Sequence, residues 1–334
     1  MKLFFRVPWI RMAAKISLAA ALLIWMISSG RLDLSRLAGT TAHWPQLLAI
    51  VTIFFVEIYV MAWRWNLLLG AQDLELSSQQ AFSLTRIGCL FNVVIPGTVG
   101  GDIIRGYYVG RLAAGRTPEA LATILMDRVV GLLGLLVLTA AAGMGNFEMT
   151  MESRALEALC LFAIVLAAFG GLGLALVVAT GGRSIILERW RANRWVAKSI
   201  KAIGTLAPYR RNPRLLAIAL AASVFNQALS CLAFYFAVQA LEEPPVPWRY
   251  FFLLVPLGLM TSALPISPAG VGVGQAAFFT LFAIIPGSSG KLGADAYTVF
   301  QLLLILVYLT GFYPYLAYKH TMGVEIPTIE DHII

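Results

Sequence analysis

The chain has 334 residues, of which 59% are hydrophobic and only 13% charged, and its mean hydropathy is +0.80. A soluble domain carries about a quarter charged residues, so this composition excludes a water-soluble globule and describes an integral membrane protein. The net charge of +8 sits in loops flanking apolar spans, where orientation and anionic lipid headgroups account for it, so no nucleic acid partner is expected.

Lys2, Arg6, Arg11 and Lys15 precede an apolar run from about Ile16 to Ser28. A polytopic chain keeps such a run as its first span; a cleaved signal peptide is the alternative. A second span is expected from about Trp44 to Leu69, with Arg64 between Trp63 and Trp65 near its end. That triplet fits a guanidinium at headgroup level within an aromatic belt as well as it fits a functional arginine. Glu57 lies deeper in the same span and needs a partner or a water-filled cavity.

After a polar connection comes FNVVIPGTVGGDIIRGYYVGR, Phe91 to Arg111. Pro96, Gly97, Gly100 and Gly101 break the helix, and Asp102 and Arg105 then bring charge to membrane depth, a combination that marks a pathway or a site. A helix restarting at Gly100-Gly101 would turn unpaired N–H groups and its positive dipole end toward a ligand, for which phosphate is a natural guest. Asp102 and Arg105, three apart, can share a face, either as a site or as an ion pair that only holds the broken region together.

A third span, about Ala120 to Ala142, has Asp127 and Arg128 in its first turns; being adjacent, they point to different sides, one toward the broken region and the other toward the interface. A fourth, about Leu156 to Ala179, is rich in Gly and Ala. The basic stretch from about 183 to 213 alternates Ile186, Trp190 and Val196 with Arg189, Arg194 and Lys198, as an interfacial helix or a solvated connector would. A fifth span, about Leu215 to Ala240, contains Asn226 and Gln227 and leads through the loop EEPPVPW to a second broken region, Phe251 to Ile285. Pro265, Ser267, Pro268, Gly270, Gly272 and Gln275 lie in it, without charge, as an opposing gate or as a packed Gly/Pro kink. A last span, about Ala294 to Tyr318, precedes a polar tail.

With a cytoplasmic N-terminus, only Arg31, Arg36, Arg154, Arg249 and Lys291 of the 25 Lys and Arg residues fall outside, which obeys the positive-inside rule and makes both termini cytoplasmic. The two broken regions then enter from opposite sides at corresponding positions, as in inverted-repeat transporters. The fold class expected is all-α and polytopic, with six full spans and two re-entrant regions, or eight spans, in one transmembrane domain over residues 1–334. Its halves run from about 44 to 143 and from about 215 to 318. Cys89, Cys160 and Cys231 show no CxxC spacing and His43, His320 and His332 are scattered, so neither a metal nor another cofactor is expected.

Asn92, Pro96, Gly100-Gly101-Asp102 and Arg105, then Asp127-Arg128, then Pro265-Ile-Ser-Pro-Ala-Gly-Val-Gly together resemble a flippase-like membrane family. That family is related to the transmembrane region of lysylphosphatidylglycerol synthases, and the resemblance covers nearly the whole chain. It implies a bacterial inner-membrane protein that moves a lipid between leaflets. The mechanism expected for this chain is alternating access, in which Arg105 and the helix N-terminus at Gly100-Gly101 receive an anionic headgroup, Arg64 and Arg128 assist, and Asn92, Pro96, Asp102 and Asp127 complete the site. Where relatives commonly have Glu-Arg and a second-region acid, this chain has Asp127-Arg128 and Gln275. The loss of that acid removes the basis for cation pairing or proton linkage there. Expected partners are membrane lipids through anionic headgroups, with a lipid-modifying enzyme and a second copy of the chain as further candidates. A membrane glycosyltransferase using a lipid-linked donor, with Asp102 or Glu57 as its carboxylate, is the alternative function.

Overall fold

The computed structural model describes Ser17, Ala21 and residues 24–28, 39–94, 100–112, 116–146, 150–151, 153–180, 204–241, 246–262, 270–285 and 287–322. Among these residues the chain is helical, without strands. It folds into α1 (Trp44–Gly70), α2 (Ser78–Val94), α3 (Gly100–Leu112), α4 (Thr117–Gly145) and α5 (Arg154–Thr180). There follow α6 (Pro213–Gln239), α7 (Trp248–Ser262), α8 (Val273–Phe282), α9 (Gly290–Leu309) and α10 (Phe312–Met322). Short 3₁₀ turns at Thr40–His43 and Ala207–Arg211 lead into α1 and α6.

Local chemistry sets these limits. Pro45, Pro118 and Pro213 sit at the first or second position of α1, α4 and α6, where the missing N–H costs nothing and the fixed φ suits a helix start. Ser289 caps α9 by accepting the Leu292 N–H at 3.4 Å. Five helical stretches are long and apolar enough to cross a membrane, Thr40–Gly70, Thr117–Gly145, Arg154–Leu176, Pro213–Gln239 and Gly290–Tyr318. They coincide with the second to sixth expected spans, and the protein is a polytopic all-α membrane protein. Of the expected first span only Ser17, Ala21 and residues 24–28 are described, where Met26 is buried against Ala276, Phe279 and Ala294. The basic stretch up to residue 203 and residues 242–245 of the EEPPVPW loop lie outside the described residues.

The last span departs from the expected single helix, breaking at Thr310 and Gly311 between α9 and α10. A side chain at Gly311 would overlap the Arg86 carbonyl of α2, and the freed Thr310 carbonyl accepts from Arg86 Nη2 at 2.6 Å. A break that exposes a carbonyl at membrane depth survives because a guanidinium satisfies it.

Each broken region is a pair of short helices, α2 with α3 and α7 with α8. None of the four reaches the ~30 Å of a bilayer core, since 17 residues of α2 rise only about 25 Å. Within each half the neighbours correspond. α1 packs on α2 and α4, and α3 packs on both α2 and α4; likewise α6 packs on α7 and α9, and α8 on both α7 and α9. Between the halves, α1 lies against α6. Stepping back along α1 from Arg64 to Glu57, the contacts step forward along α6 from Ser223 to Ser230, so the two helices are antiparallel.

An aromatic core built on Phe54, Phe234, Phe251, Phe278, Phe282 and Phe300 joins both halves, with Phe234 stacked on Phe278 at 4.5 Å. Outward faces are apolar too: Phe162, Phe169 and Leu172 of α5 are exposed, as lipid-facing residues should be. Close crossings use small residues. A Cβ at Gly134 of α4 would overlap Ser223 of α6, whereas nothing lies near Gly171 of α5. Gly134→Leu is therefore expected to cost ~1–3 kcal/mol by overpacking and to lower the thermal midpoint in detergent, while Gly171→Leu leaves it unchanged.

Candidate functional site

Arg64, 6% exposed, points inward rather than to the headgroups. Its Nε donates to Asp127 Oδ1 at 2.9 Å and its Nη1 to Ser223 Oγ at 2.7 Å, tying α1, α4 and α6 at one point. Gly131, one turn beyond Asp127, lies beside its guanidinium at van der Waals distance. The aromatic-belt reading of Trp63-Arg64-Trp65 is thereby corrected, because only Trp63 is exposed and Trp65 is fully buried. A belt needs all three on the outer face; here helix rotation turns Arg64 and Trp65 into the bundle. Counted along their helices, Arg64, Asp127 and Ser223 lie about 9–15 Å from the helix ends on one side of the bundle.

Arg105 of α3 meets the same aspartate from the other side. Both Nη atoms lie 3.4 Å from Asp127 Oδ2, and the guanidinium stacks 3.9 Å over the Trp65 ring. The indole is held in turn, Trp65 Nε1 donating to Thr123 Oγ1 at 3.2 Å. Gly88 of α2 makes room for the arginine stem, since a Cβ there would lie 2.8 Å from Arg105 Cδ. Among the described residues Arg105 Nε has no hydrogen-bond acceptor.

The expected Asp102–Arg105 pair is the weakest link, at 3.8 Å. Asp102 instead accepts from Arg128 Nε at 2.6 Å. Asp127 and Arg128 do leave opposite sides of α4, yet both serve the broken region, because α3 lies against α4 and the long arginine stem reaches round to Asp102. The result is an alternating chain, Arg64–Asp127–Arg105–Asp102–Arg128, with three cations and two anions. Its inner members have side chains 4–7% exposed, Asp102 15% and Arg128 44%, so the chain opens at one end only.

The helix restart behaves differently from expectation. The Gly101 N–H is already taken by Asn92 Oδ1 at 3.0 Å, and a side chain at Gly101 would overlap the Gly88 carbonyl. These glycines bring two backbones together rather than presenting Gly101 N–H to a ligand. Gly100 is buried beside them, and Pro96 lies outside the described residues.

The second constellation stands in the other half of the bundle. Gly270 and Gly272 have φ of 76° and 82°, a backbone that side-chain-bearing residues rarely adopt. Gln275 accepts the Gly272 N–H at 2.7 Å and donates through Nε2 to Gln301 Oε1 at 3.1 Å and Thr298 Oγ1 at 3.4 Å. Pro265, Ser267 and Pro268 lie outside the described residues. Glu57 finds the partner it needed, accepting from Ser230 Oγ at 2.6 Å.

Sequence reasoning missed Ser223, Thr123, Ser230, Thr298 and Gln301. Hydroxyls and a lone amide inside apolar spans carry no pattern that separates a site partner from a packing residue. Among the described residues no group of His, Cys, Asp and Glu is arranged to hold a metal, and the three cysteines are free and buried.

Removing Asp127 would leave two buried guanidinium groups without their shared anion, which costs ~3–5 kcal/mol. Asp127→Asn is thus expected to lower the thermal midpoint far more than Asp102→Asn. The double variant Asp127→Asn/Arg105→Gln should recover part of the loss, a coupling that thermal unfolding of the four proteins measures.

No curated protein matches the chain. The family model described as the lysylphosphatidylglycerol synthase TM region matches residues 12–311, which takes in the whole arginine–aspartate chain and both broken regions. The protein belongs to the lysylphosphatidylglycerol synthase transmembrane-region family.

Proposed function

We propose that the protein moves a lipid with an anionic headgroup between membrane leaflets by alternating access. Family membership makes it a membrane protein of lipid metabolism or transport; the transfer step is our reading of the site. The observation that carries it is the buried chain of Arg64, Asp127, Arg105 and Asp102, which leads to the exposed guanidinium of Arg128. Ionisable groups buried within a membrane bundle mark a ligand pathway, and a cation at its mouth attracts a monoanion. A phosphodiester headgroup has that charge, and Arg128 offers it planar N–H donors.

When the phosphate engages Arg128, Asp102 retains Arg105 as its counterion at 3.8 Å, so no carboxylate is stranded. Arg116, Arg210, Arg211 and Arg214 are exposed at the same end of the bundle, a bias that the positive-inside rule associates with the cytoplasmic side. On this reading the headgroup enters from the cytoplasmic leaflet of a bacterial inner membrane. The sequence contains no GxxxxGK[ST] loop, and transfer on this reading is passive or driven by a gradient.

The test is leaflet exchange of headgroup-labelled phospholipids in liposomes containing the purified protein. Exchange should run well above the protein-free rate. Arg128→Gln should weaken apparent affinity about 10- to 100-fold, the worth of a hydrogen bond to a charged group, with normal protein yield. Exchange at the protein-free rate for every anionic and zwitterionic lipid tried would remove the proposal.

A further inference from the structure

Glu57 stands at the midpoint of α1, about 20 Å from either end of a helix long enough to cross a membrane. It is 7% exposed and faces α6 across the seam between the two halves, where its carboxyl accepts from Ser230 Oγ at 2.6 Å. Two turns further along α1, Arg64 meets Ser223 of α6 in the same way, but Arg64 also has Asp127 to balance its charge. Glu57 has no such balance, since among the described residues it makes no ion pair. Its other neighbours supply no cation within reach. α6 brings Cys231 beside Ser230, and α9 brings Tyr308, which is hydrogen-bonded to Cys89 of α2. α4 brings Arg128, whose charge acts on Tyr308 and Cys89 and which is paired with Asp102. An isolated carboxylate is far costlier to bury than a carboxylic acid, so a carboxyl in this setting is held neutral by a proton. A second observation agrees. Asn226, one turn before Ser230 on α6, has a buried amide oxygen with no donor among the described residues. A carboxylate offers that turn of helix only acceptors, whereas a carboxylic acid offers an O–H.

We propose that Glu57 is a proton-binding site on the seam between the halves, and that its proton couples lipid transfer to a transmembrane proton gradient. This rests on the lipid-transfer reading above and names the ion where that reading gave only a gradient. Inverted-repeat transporters alternate access by moving one half against the other, so a group held between α1 and α6 changes surroundings when access changes. Sealed, as here, Glu57 keeps its proton. Once water reaches the seam the carboxylate is solvated and the proton leaves to that face. An unprotonated Glu57 opposes resealing by the cost of burying its charge, so the return step waits for a fresh proton. Each cycle thus takes a proton from the water on one side and gives it up on the other.

Leaflet exchange of headgroup-labelled phosphatidylglycerol, measured in proteoliposomes with and without an imposed pH difference, tests the coupling. In wild type the pH difference should change the exchange rate by about fivefold or more, and a protonophore should abolish the change. Glu57→Gln keeps the shape of the neutral acid and the acceptor for Ser230, and its exchange should not respond to the pH difference. The infrared difference between wild type and Glu57→Gln at neutral pH should contain the carbonyl band of a protonated carboxylic acid. Carboxylate bands in its place overturn the proton site, and a pH response that survives in Glu57→Gln overturns its role in coupling. Wild-type exchange that ignores the pH difference also overturns the coupling, a result that needs no variant to fold. A protonated-acid band with no exchange of any lipid upholds the proton site and overturns the transfer reading instead.

Discussion

Asp127 holds the bundle together at its most costly point. One carboxylate, 3% exposed, is shared by Arg64 from α1 and Arg105 from α3, and Arg64 carries the link on to Ser223 of α6. In water such a pair is worth little, but within hydrocarbon a guanidinium without its anion is far more expensive than the pair itself. The position of α3 beside α1 and α4 is therefore fixed by charge as well as by packing. The Trp65 face and the missing side chain of Gly88 accommodate Arg105.

That arrangement explains how one fold accommodates charge in its first half and neutrality in its second. Where Arg105 lies on Trp65, Phe278 lies on Phe234; where Arg128 meets Asp102, Gln301 meets Gln275. Gly88 and Gly258 make the same kind of close approach in the two halves, while the side chains placed against them differ in chemistry. Stability in the second half comes from stacked aromatic rings, which need no counterion. The first half relies on ion pairs at the corresponding positions.

Much of this was legible in the sequence. Apolar run lengths placed α1, α4, α5 and α6 to within about three residues, because a membrane span leaves no choice but a helix. The charges inside those runs, Arg64, Asp102, Arg105, Asp127 and Arg128, were candidates on cost alone. Their pairing was not legible. Spacing along one helix favours Asp102 with Arg105, but the observed partners come from α1 and α4, and only tertiary packing decides which face of α1 turns inward. The break at Gly311 did carry a local mark, Gly311 followed by Pro314, but the apolar run continuing to Tyr318 outweighed it, and the Arg86 that satisfies the Thr310 carbonyl comes from a helix more than two hundred residues earlier in the chain.

Gly101 rests its backbone on the Gly88 carbonyl, with Asn92 bonded across the same junction. A Cβ at Gly101 would overlap the Gly88 peptide, so the seam between α2 and α3 is sealed backbone to backbone and holds only with glycine at that position. Arg105 and Asp102 belong to α3, while Asp127 and Arg128 belong to α4, so the ionic contacts are the joint between the α2–α3 pair and α4, and a disturbance at the glycine seam would displace charge as well as backbone.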